Sequence, residues 1–313
     1  MDWDCIIIGG GPAGLSAALT LGRARRRVLV LDAGTPRNHR SASMHGYLTR
    51  DGIPPADFLH AARAELTPYT SATIRDAEAA DAEVTSDGFR VQLGEADGSD
   101  WLDTRTLLLA TGVVDDVPVI DGIERFYGRT VHHCPYCDGW EHRDRPIGVY
   151  GCSEAAARYA LAMTVWSPDI MLFTDGFPAF PPDLVGDLAA RGISIYPQKI
   201  VRLEGTGDQL ARVVLDDGTI VPRAALFFCT GQRQRSGLAA KLGCHFTEAG
   251  AVATGDSEAT DVPGLFVAGD ASRDAQLVIV AAAEGALAAL AINTLLTRQD
   301  LLPSGATTHA SSS

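Results

Sequence analysis

The sequence predicts an α/β protein with two three-layer, Rossmann-like nucleotide-binding cores, the second inserted into the first. Three observations lead there: a strand, glycine turn and helix open the chain, a second such unit lies mid-chain, and two apolar strands ending in Thr-Gly bracket that second unit. The 313 residues suffice for two domains, and 46% hydrophobic with 21% charged residues excludes a disordered chain.

Asp4 to Ile8 is an apolar run of strand length, Gly9-Gly10-Gly11-Pro12-Ala13-Gly14 follows as a turn, and Leu15 to Leu21 reads as an alanine-rich helix. Gly9 suits the tight turn, Gly11 lets backbone approach a pyrophosphate, and Gly14 allows close packing of helix on strand. Phosphate would then sit at a helix N-terminus. Arg27 to Leu31 is the next strand, and Asp32 at its end, 23 residues after Gly9, is placed to accept from ribose hydroxyls. The alternative is a glycine-rich turn with Asp32 as a loop residue only.

The second unit runs from a strand at Pro146 to Tyr150 through the turn Gly151-Cys152-Ser153-Glu154-Ala155-Ala156 to a helix at Ala157 to Val165. A strand from Asp169 to Phe173 follows, ending near Asp175. Leu107-Leu108-Leu109-Ala110-Thr111-Gly112 and Leu226-Phe227-Phe228-Cys229-Thr230-Gly231 mark the places where the chain leaves one domain for another. The expected boundaries are 1–115 with 245–313 for the first domain and 116–244 for the insert. The last strand ends at Gly269-Asp270, which returns the chain to the first domain. Residues 303–313, rich in Ser and Thr, read as a frayed tail.

A net charge of −13 repels nucleic-acid phosphates and anionic lipid, so neither is an expected partner. The apolar stretch Leu277 to Leu296 is long enough to span a bilayer, but Glu284 and Asn293 interrupt it, and a buried soluble helix is expected. The start has no basic region followed by a long apolar one, and six cysteines in such a chain suggest a cytoplasmic protein with reduced thiols.

The sharpest chemical signal is Cys134-Pro135-Tyr136-Cys137-Asp138-Gly139. Two cysteines separated by two residues can close a reversible disulfide, and the spacing commonly lowers one thiol's pKa to give the attacking thiolate. Zinc is the rival reading, with His132, His133 and His142 nearby as nitrogen donors, but no second CxxC exists and no metal site is assigned. Cys5, Cys229 and Cys244 sit in apolar contexts where inert core thiols are expected, and His132 and His133 are not assigned a role. Asp138 either moves protons beside the thiol pair or is a turn residue in solvent.

Together, CIIIGGGPAG with Asp32, LLLATG, the run CPYCDG just before the second glycine turn, and LFVAGDAS resemble the low-molecular-weight thioredoxin reductase family over nearly the whole chain. The resemblance implies the pyridine nucleotide-disulfide oxidoreductase class II fold, FAD in the outer domain and a homodimer. It places FAD on Gly9, Gly11, Pro12, Ala13, Gly14, Asp32, Ala110, Thr111, Gly112, Gly269 and Asp270, with Gln276 at the start of the helix beneath the flavin ring. By position, Cys137 would exchange electrons with the flavin, Cys134 would meet substrate, and Asp138 would give or take the proton.

Departures from that family bear on function. Its reductases keep a second glycine-rich turn for NADPH and a basic cluster for the 2′-phosphate, whereas here Cys152 and Ser153 replace glycines, Glu154 adds negative charge, and Phe173-Thr174-Asp175-Gly176-Phe177 offers no cation. Two such charges near a phosphate cost on the order of a few kcal/mol, roughly a ten- to thousand-fold loss of affinity. Asp175, 24 residues after Gly151, keeps an NADH route open.

The expected function is a FAD-dependent oxidase that turns a small-molecule or peptidyl dithiol into a disulfide with O2 as final acceptor and peroxide as product. It resembles the dithiol oxidases that close the disulfides of gliotoxin- and holomycin-type natural products, and the segments RDGIPPADFLHAARAEL and DASRDAQLVIVAAAEGALAALAIN resemble that branch too. The alternatives are a reductase drawing on NADH, NADPH or ferredoxin to serve a thioredoxin-like protein, and a non-catalytic flavin redox sensor.

Overall fold

In the computed structural model, which describes residues 1–98 and 100–302, both strand-turn-helix units are present. The expected tail at 303–313 lies outside the described residues. The chain separates into two compact units: Met1–Pro36, Ala56–Val113 and the chain from Gln234 onward make the first, and Arg37–Pro55 with Val114–Arg233 make the second. These limits differ from the sequence-based ones in two places. Residues 37–55 group with the second unit, where Arg37 pairs with Asp115 and Arg40 with Glu124. The later crossing falls at 233/234 because Leu238, Ala239, Leu242 and Cys244 join the core of the first unit.

The first unit is built on a seven-stranded sheet in the order Ala72–Asp76, Val28–Asp32, Trp3–Ile8, Trp101–Leu109, Phe89–Leu93, Ala79–Val84, with Leu265–Val267 also pairing to Trp101–Leu109. Its central strands read as unbroken apolar runs because both faces are covered. Ile6 and Ile8 enter one core with Phe89 and Leu242, while Cys5 and Ile7 enter another with Leu15, Ala288 and Ile292. That split is the two-residue period of a strand serving two layers.

Parallel pairing aligns Ile8 with Leu31 and Leu109, and Leu109 with Val267. The residues that follow these strands therefore meet along one edge of the sheet: the Gly9 turn, Asp32, Ala110 and Gly269.

Helix Pro12–Arg23 starts with Gly11 as N-cap and Pro12 in its first turn, where a missing N–H costs nothing. The apolar stretch near the C-terminus forms helix Val278–Leu301, long and apolar enough to cross a membrane, yet Ala281, Glu284, Gly285, Ala288, Ala289, Ile292 and Leu296 are buried against the first unit. It meets the first helix so closely that a Cβ on Gly285 would stand 2.0 Å from the Ala13 carbonyl oxygen.

The second unit carries a parallel sheet ordered Ser194–Tyr196, Ile170–Phe173, Ile147–Tyr150, Ala225–Phe228, Val131–His132, with a three-stranded antiparallel sheet from Ile200–Thr206, Gln209–Leu215 and Ile220–Pro222. Helix Glu154–Met163 follows Ile147–Tyr150 as the sequence pattern requires.

Gly285→Ala is expected to cost about 1–3 kcal/mol by overpacking a backbone contact that cannot yield. Urea unfolding of the variant beside the parent protein measures it, and an unchanged midpoint would show that the helix pair can spread.

Candidate active site

The redox pair sits on one turn of helix in the second unit. Strand Val131–His132 pairs in parallel with Ala225–Phe228, and the chain leaves it through His133 into the short helix Pro135–Asp138. Cys134 is the N-cap, and Pro135 opens the helix at a position where its lack of an N–H is harmless. Cys134 and Cys137 are joined as a disulfide, with Cα atoms 5.3 Å apart. The Cys137 N–H donates to Cys134 Sγ at 3.1 Å. Gly139 ends the turn against Trp166, where a Cβ would come within 2.9 Å of the indole.

Asp138 lies within 3.3 Å of His132 Nδ1, and His132 Nε2 lies 3.0 Å from both the Arg129 carbonyl oxygen and His142 Nε2. His133 takes the opposite course: its Nε2 lies 3.2 Å from the Arg37 guanidinium and its Nδ1 3.7 Å from Asp115. Burial works against ionisation of Asp115, but the Arg37 guanidinium, His133 and the Tyr127 hydroxyl together hold its carboxyl below the usual range. The surface beside the disulfide is aromatic. Tyr136 is 77% exposed and Trp140 65%; Tyr136 meets Trp166 edge-on, and the Arg143 guanidinium stacks 4.1 Å above Trp140. His45, in the 37–55 segment, lies 3.5 Å from Glu141.

In the first unit, the glycine turn fits a dinucleotide. A Cβ on Gly9 would meet the Ala110 carbonyl oxygen at 2.2 Å and one on Gly14 would meet the Gly9 oxygen at 1.9 Å, whereas one on Gly11 would enter open space. Gly9 and Gly14 are thus needed for packing, and Gly11 leaves the approach that a pyrophosphate needs, at the N-terminus of the helix that Pro12 and Ala13 begin. Gly10 matters as well: its Cβ would stand 2.2 Å from the Asp32 carboxylate.

Asp32 is brought beside this turn with its carboxylate held by Arg63 and by the Gly34 N–H at 3.0 Å. Ala110 follows strand Trp101–Leu109, its N–H donating to the Ile8 oxygen, and Thr111 and Gly112 continue from it. Gly269 adopts a left-handed φ of 83° and donates its N–H to Glu284 at 2.7 Å, next to Asp270. Gln276 immediately precedes Leu277, the N-cap of the C-terminal helix, and its amide donates to the Arg273 oxygen at 3.3 Å.

The turn of the second unit keeps Gly151, where a Cβ would collide with the Cys229 oxygen at 2.8 Å. Beyond it, Ser153 caps helix Glu154–Met163, accepting the Ala156 N–H at 3.2 Å. A hydroxyl thus occupies a donor that a phosphate would use. Glu154 stays at the helix start, 3.8 Å from Arg158, and Asp175, at φ 46°, accepts from the Tyr150 hydroxyl at 3.3 Å.

Among the described residues, no group of three or more His, Cys, Asp or Glu is arranged to hold a metal. Cys5 and Cys244 are buried and Cys229 half-buried; burial pushes all three thiols up, Cys5 to about 12. Cys152 is exposed.

Reading residues alone missed the partners of these groups. Glu284 stood out as a charge inside an apolar stretch, but nothing in the string connects it to Gly269, and Arg273, which bonds both Glu284 and the buried Glu258, had no signal. The histidine pair was visible as residues, not as a contact.

The sequence pattern of the pyridine nucleotide-disulphide oxidoreductase family matches residues 3–285. A thioredoxin reductase, sirT, of Leptosphaeria maculans is 32% identical, the match covering 93% of each chain. The crystal structure of HlmI superposes with a TM-score of 0.90 at 38% identity over 96% of this chain and 94% of that one. A thioredoxin reductase TrxB from Bacillus anthracis, described by its solvers as putative, gives 0.89 at 30% identity over 96% and 100%.

Two outcomes are expected. In the oxidised native protein a thiol reagent at pH 7 should modify Cys152 well before Cys5, Cys229 or Cys244, as mass spectrometry of the digest reads directly; early loss of Cys5 would contradict its burial. Burial, with His132 and Arg145 nearby, holds His142 at about 4 rather than 6.5. The unfolded chain then binds a proton that the folded one refuses, so this contribution to stability is complete above pH 6.5 and falls away toward pH 4. Melting curves across that range should show the decline, with a shallower slope in His142→Gln.

Proposed function

The chain belongs to the pyridine nucleotide-disulphide oxidoreductase family as a thioredoxin reductase-like FAD enzyme, and from that premise we propose that it oxidises a small-molecule or peptidyl dithiol to a disulfide. The observation that carries this reading is the contrast between two turns. The first presents a glycine cradle with open space at Gly11, while the second has its helix start capped by its own Ser153 beside Glu154, and residues 173–177 after the next strand carry no cation. A pyridine nucleotide is poorly served there, and electrons enter more readily at the disulfide.

FAD, held by the first cradle, supplies the two-electron carrier between the reduced cysteine pair and O2, so the sum is dithiol plus O2 giving disulfide plus hydrogen peroxide. The chain's residues handle sulfur and protons. A substrate thiolate attacks Cys134, forming a mixed disulfide and releasing Cys137 as a thiolate, and Asp138 takes the thiol's proton. When the second substrate thiol gives its proton to solvent and closes the product, Cys134 leaves as a thiolate, and the Cys137 N–H already directed at its Sγ stabilises that charge.

The exposed Tyr136 and Trp140 suit a substrate with an apolar or planar body, and the 37–55 segment, anchored beside Glu141, contributes to choosing it. Exposed Ile279, Leu287 and Leu290 on the C-terminal helix suit a second copy of the chain, and we assign a homodimer. Four free thiols agree with a cytoplasmic setting. The names of sirT and TrxB favour a second reading, a reductase passing electrons from NADH, NADPH or ferredoxin to a thioredoxin-like protein.

Anaerobic mixing decides between them. Dithiols should bleach the flavin and neither NADPH nor NADH should; rapid bleaching by either nucleotide, or by reduced ferredoxin, would support the reductase. Cys137→Ser is expected to retain FAD and lose dithiol-driven oxygen uptake, and persistent uptake would show that Cys137 is not the thiol that exchanges electrons with the flavin.

A further inference from the structure

The turn that follows strand Leu265–Val267 is gripped by three charged side chains. Gly269 donates its N–H to Glu284 Oε2 at 2.7 Å, and Glu284 Oε1 accepts from Arg273 Nε at 3.1 Å. Arg273 Nη2 donates onward to both Glu258 oxygens, at 2.8 and 3.0 Å. The Glu258 carbonyl oxygen accepts the Val267 N–H at 3.0 Å, so the path returns to the strand on which it began. A closed ring of hydrogen bonds through Val267, Glu258, Arg273, Glu284 and Gly269 thus surrounds the turn. Inside it, Ser272 closes the turn on itself, its N–H and hydroxyl donating to the Gly269 oxygen at 3.0 and 3.2 Å.

Glu258 and Glu284 are 1% and 6% exposed, and two carboxylates share one guanidinium. Burial pushes the Glu284 carboxyl up, the Glu258 charge adds to this, and the Gly269 N–H and Arg273 work against it. A buried ionic group of this kind is often no more stabilising than apolar side chains of the same volume. What it supplies is direction. Gly269, at φ 83°, has no side chain to limit it, and a carboxylate held at both oxygens fixes where its N–H points.

The position of this turn gives that direction a use. Strand pairing runs from Val28–Asp32 through Trp3–Ile8 and Trp101–Leu109 to Leu265–Val267, so Asp32 and Gly269 stand at opposite ends of the edge that carries the glycine cradle. Three strand spacings, about 14 Å, separate them. We propose that Glu284, Arg273 and Glu258 are positioning residues for FAD: they hold the Gly269–Asp270 turn ready for the flavin half of the cofactor, while Asp32 and Gly11 serve its adenylate half. Such a clamp serves FAD whichever way electrons run through the disulfide. It touches neither thiol, and its effect is on how often the free turn is in its binding shape.

ADP, which has the adenylate half alone, separates this role from a general structural one. Holoenzyme diluted to nanomolar concentration releases flavin, whose fluorescence gives the FAD dissociation constant, and competition by ADP in the same mixtures gives the ADP affinity. In Glu284→Leu, FAD binding should weaken about tenfold, as it would if the turn were in its binding shape a tenth as often, with ADP affinity within about twofold of the parent. Equal losses for the two ligands, or unchanged FAD affinity, would overturn the proposal. So would ADP that fails to displace FAD from the parent, since the Asp32 end would then not bind by itself.

Where Glu284→Leu does not fold, Arg273→Leu decides by the same two constants. The Arg273 side chain is 37% exposed and lies off the C-terminal helix, so the seat of Gly285 on Ala13 is left intact. Its FAD binding should weaken by about threefold or more with ADP affinity unchanged, and parent-like FAD binding would overturn the proposal.

Discussion

The first unit depends on one close contact, the seat of Gly285 against the Ala13 carbonyl. Its chain arrives in three pieces, and the last must return to the first for the sheet to be covered. The C-terminal helix does this by pressing a residue without a side chain onto the first turn of the opening helix, next to the glycine cradle. One residue earlier, Glu284 receives the Gly269 N–H and the Arg273 guanidinium, and Arg273 in turn grips both oxygens of the buried Glu258. Burial pushes the Glu284 carboxyl up, and its two donors offset part of that desolvation. A single helix thus fixes two of the turns that a dinucleotide needs.

The second unit solves a different problem. Consecutive residues leaving a strand face opposite ways, so His132 and His133 enter separate polar networks. His133 joins Arg37, Asp115 and Tyr127, which tether the 37–55 segment, while His132 joins Asp138 and His142 behind the disulfide. The cysteine pair is therefore supported on one side by the Arg37–Asp115 ion pair and on the other by two buried imidazole rings. Its exposed neighbours, Tyr136 and Trp140, are apolar enough to meet a substrate and rigid enough to lose little entropy in doing so.

The turn at Gly151 keeps the architecture of the first one with different side chains along it. Gly151 still has to be glycine because Cys229 backs it, so strand, turn and helix persist. The change is local: a serine cap satisfies the helix N-terminus from within, and an acidic side chain follows it. A helix that caps itself has less to offer an outside anion.

Much of this was legible before any coordinates. Both strand-turn-helix units, the parallel register that follows from βαβ order, the cysteine pair and the loss of glycines at the second turn are local patterns, and local patterns are set by backbone sterics and side-chain period. Folding in space supplied the rest. The union of residues 37–55 with the second unit, the return of the chain at 233 rather than 244, the hold of Glu284 on Gly269 and the meeting of His132 with His142 all join residues through packing and burial. Desolvation and distance between remote parts of a chain exist only once the chain has closed on itself, and no string of residues states them.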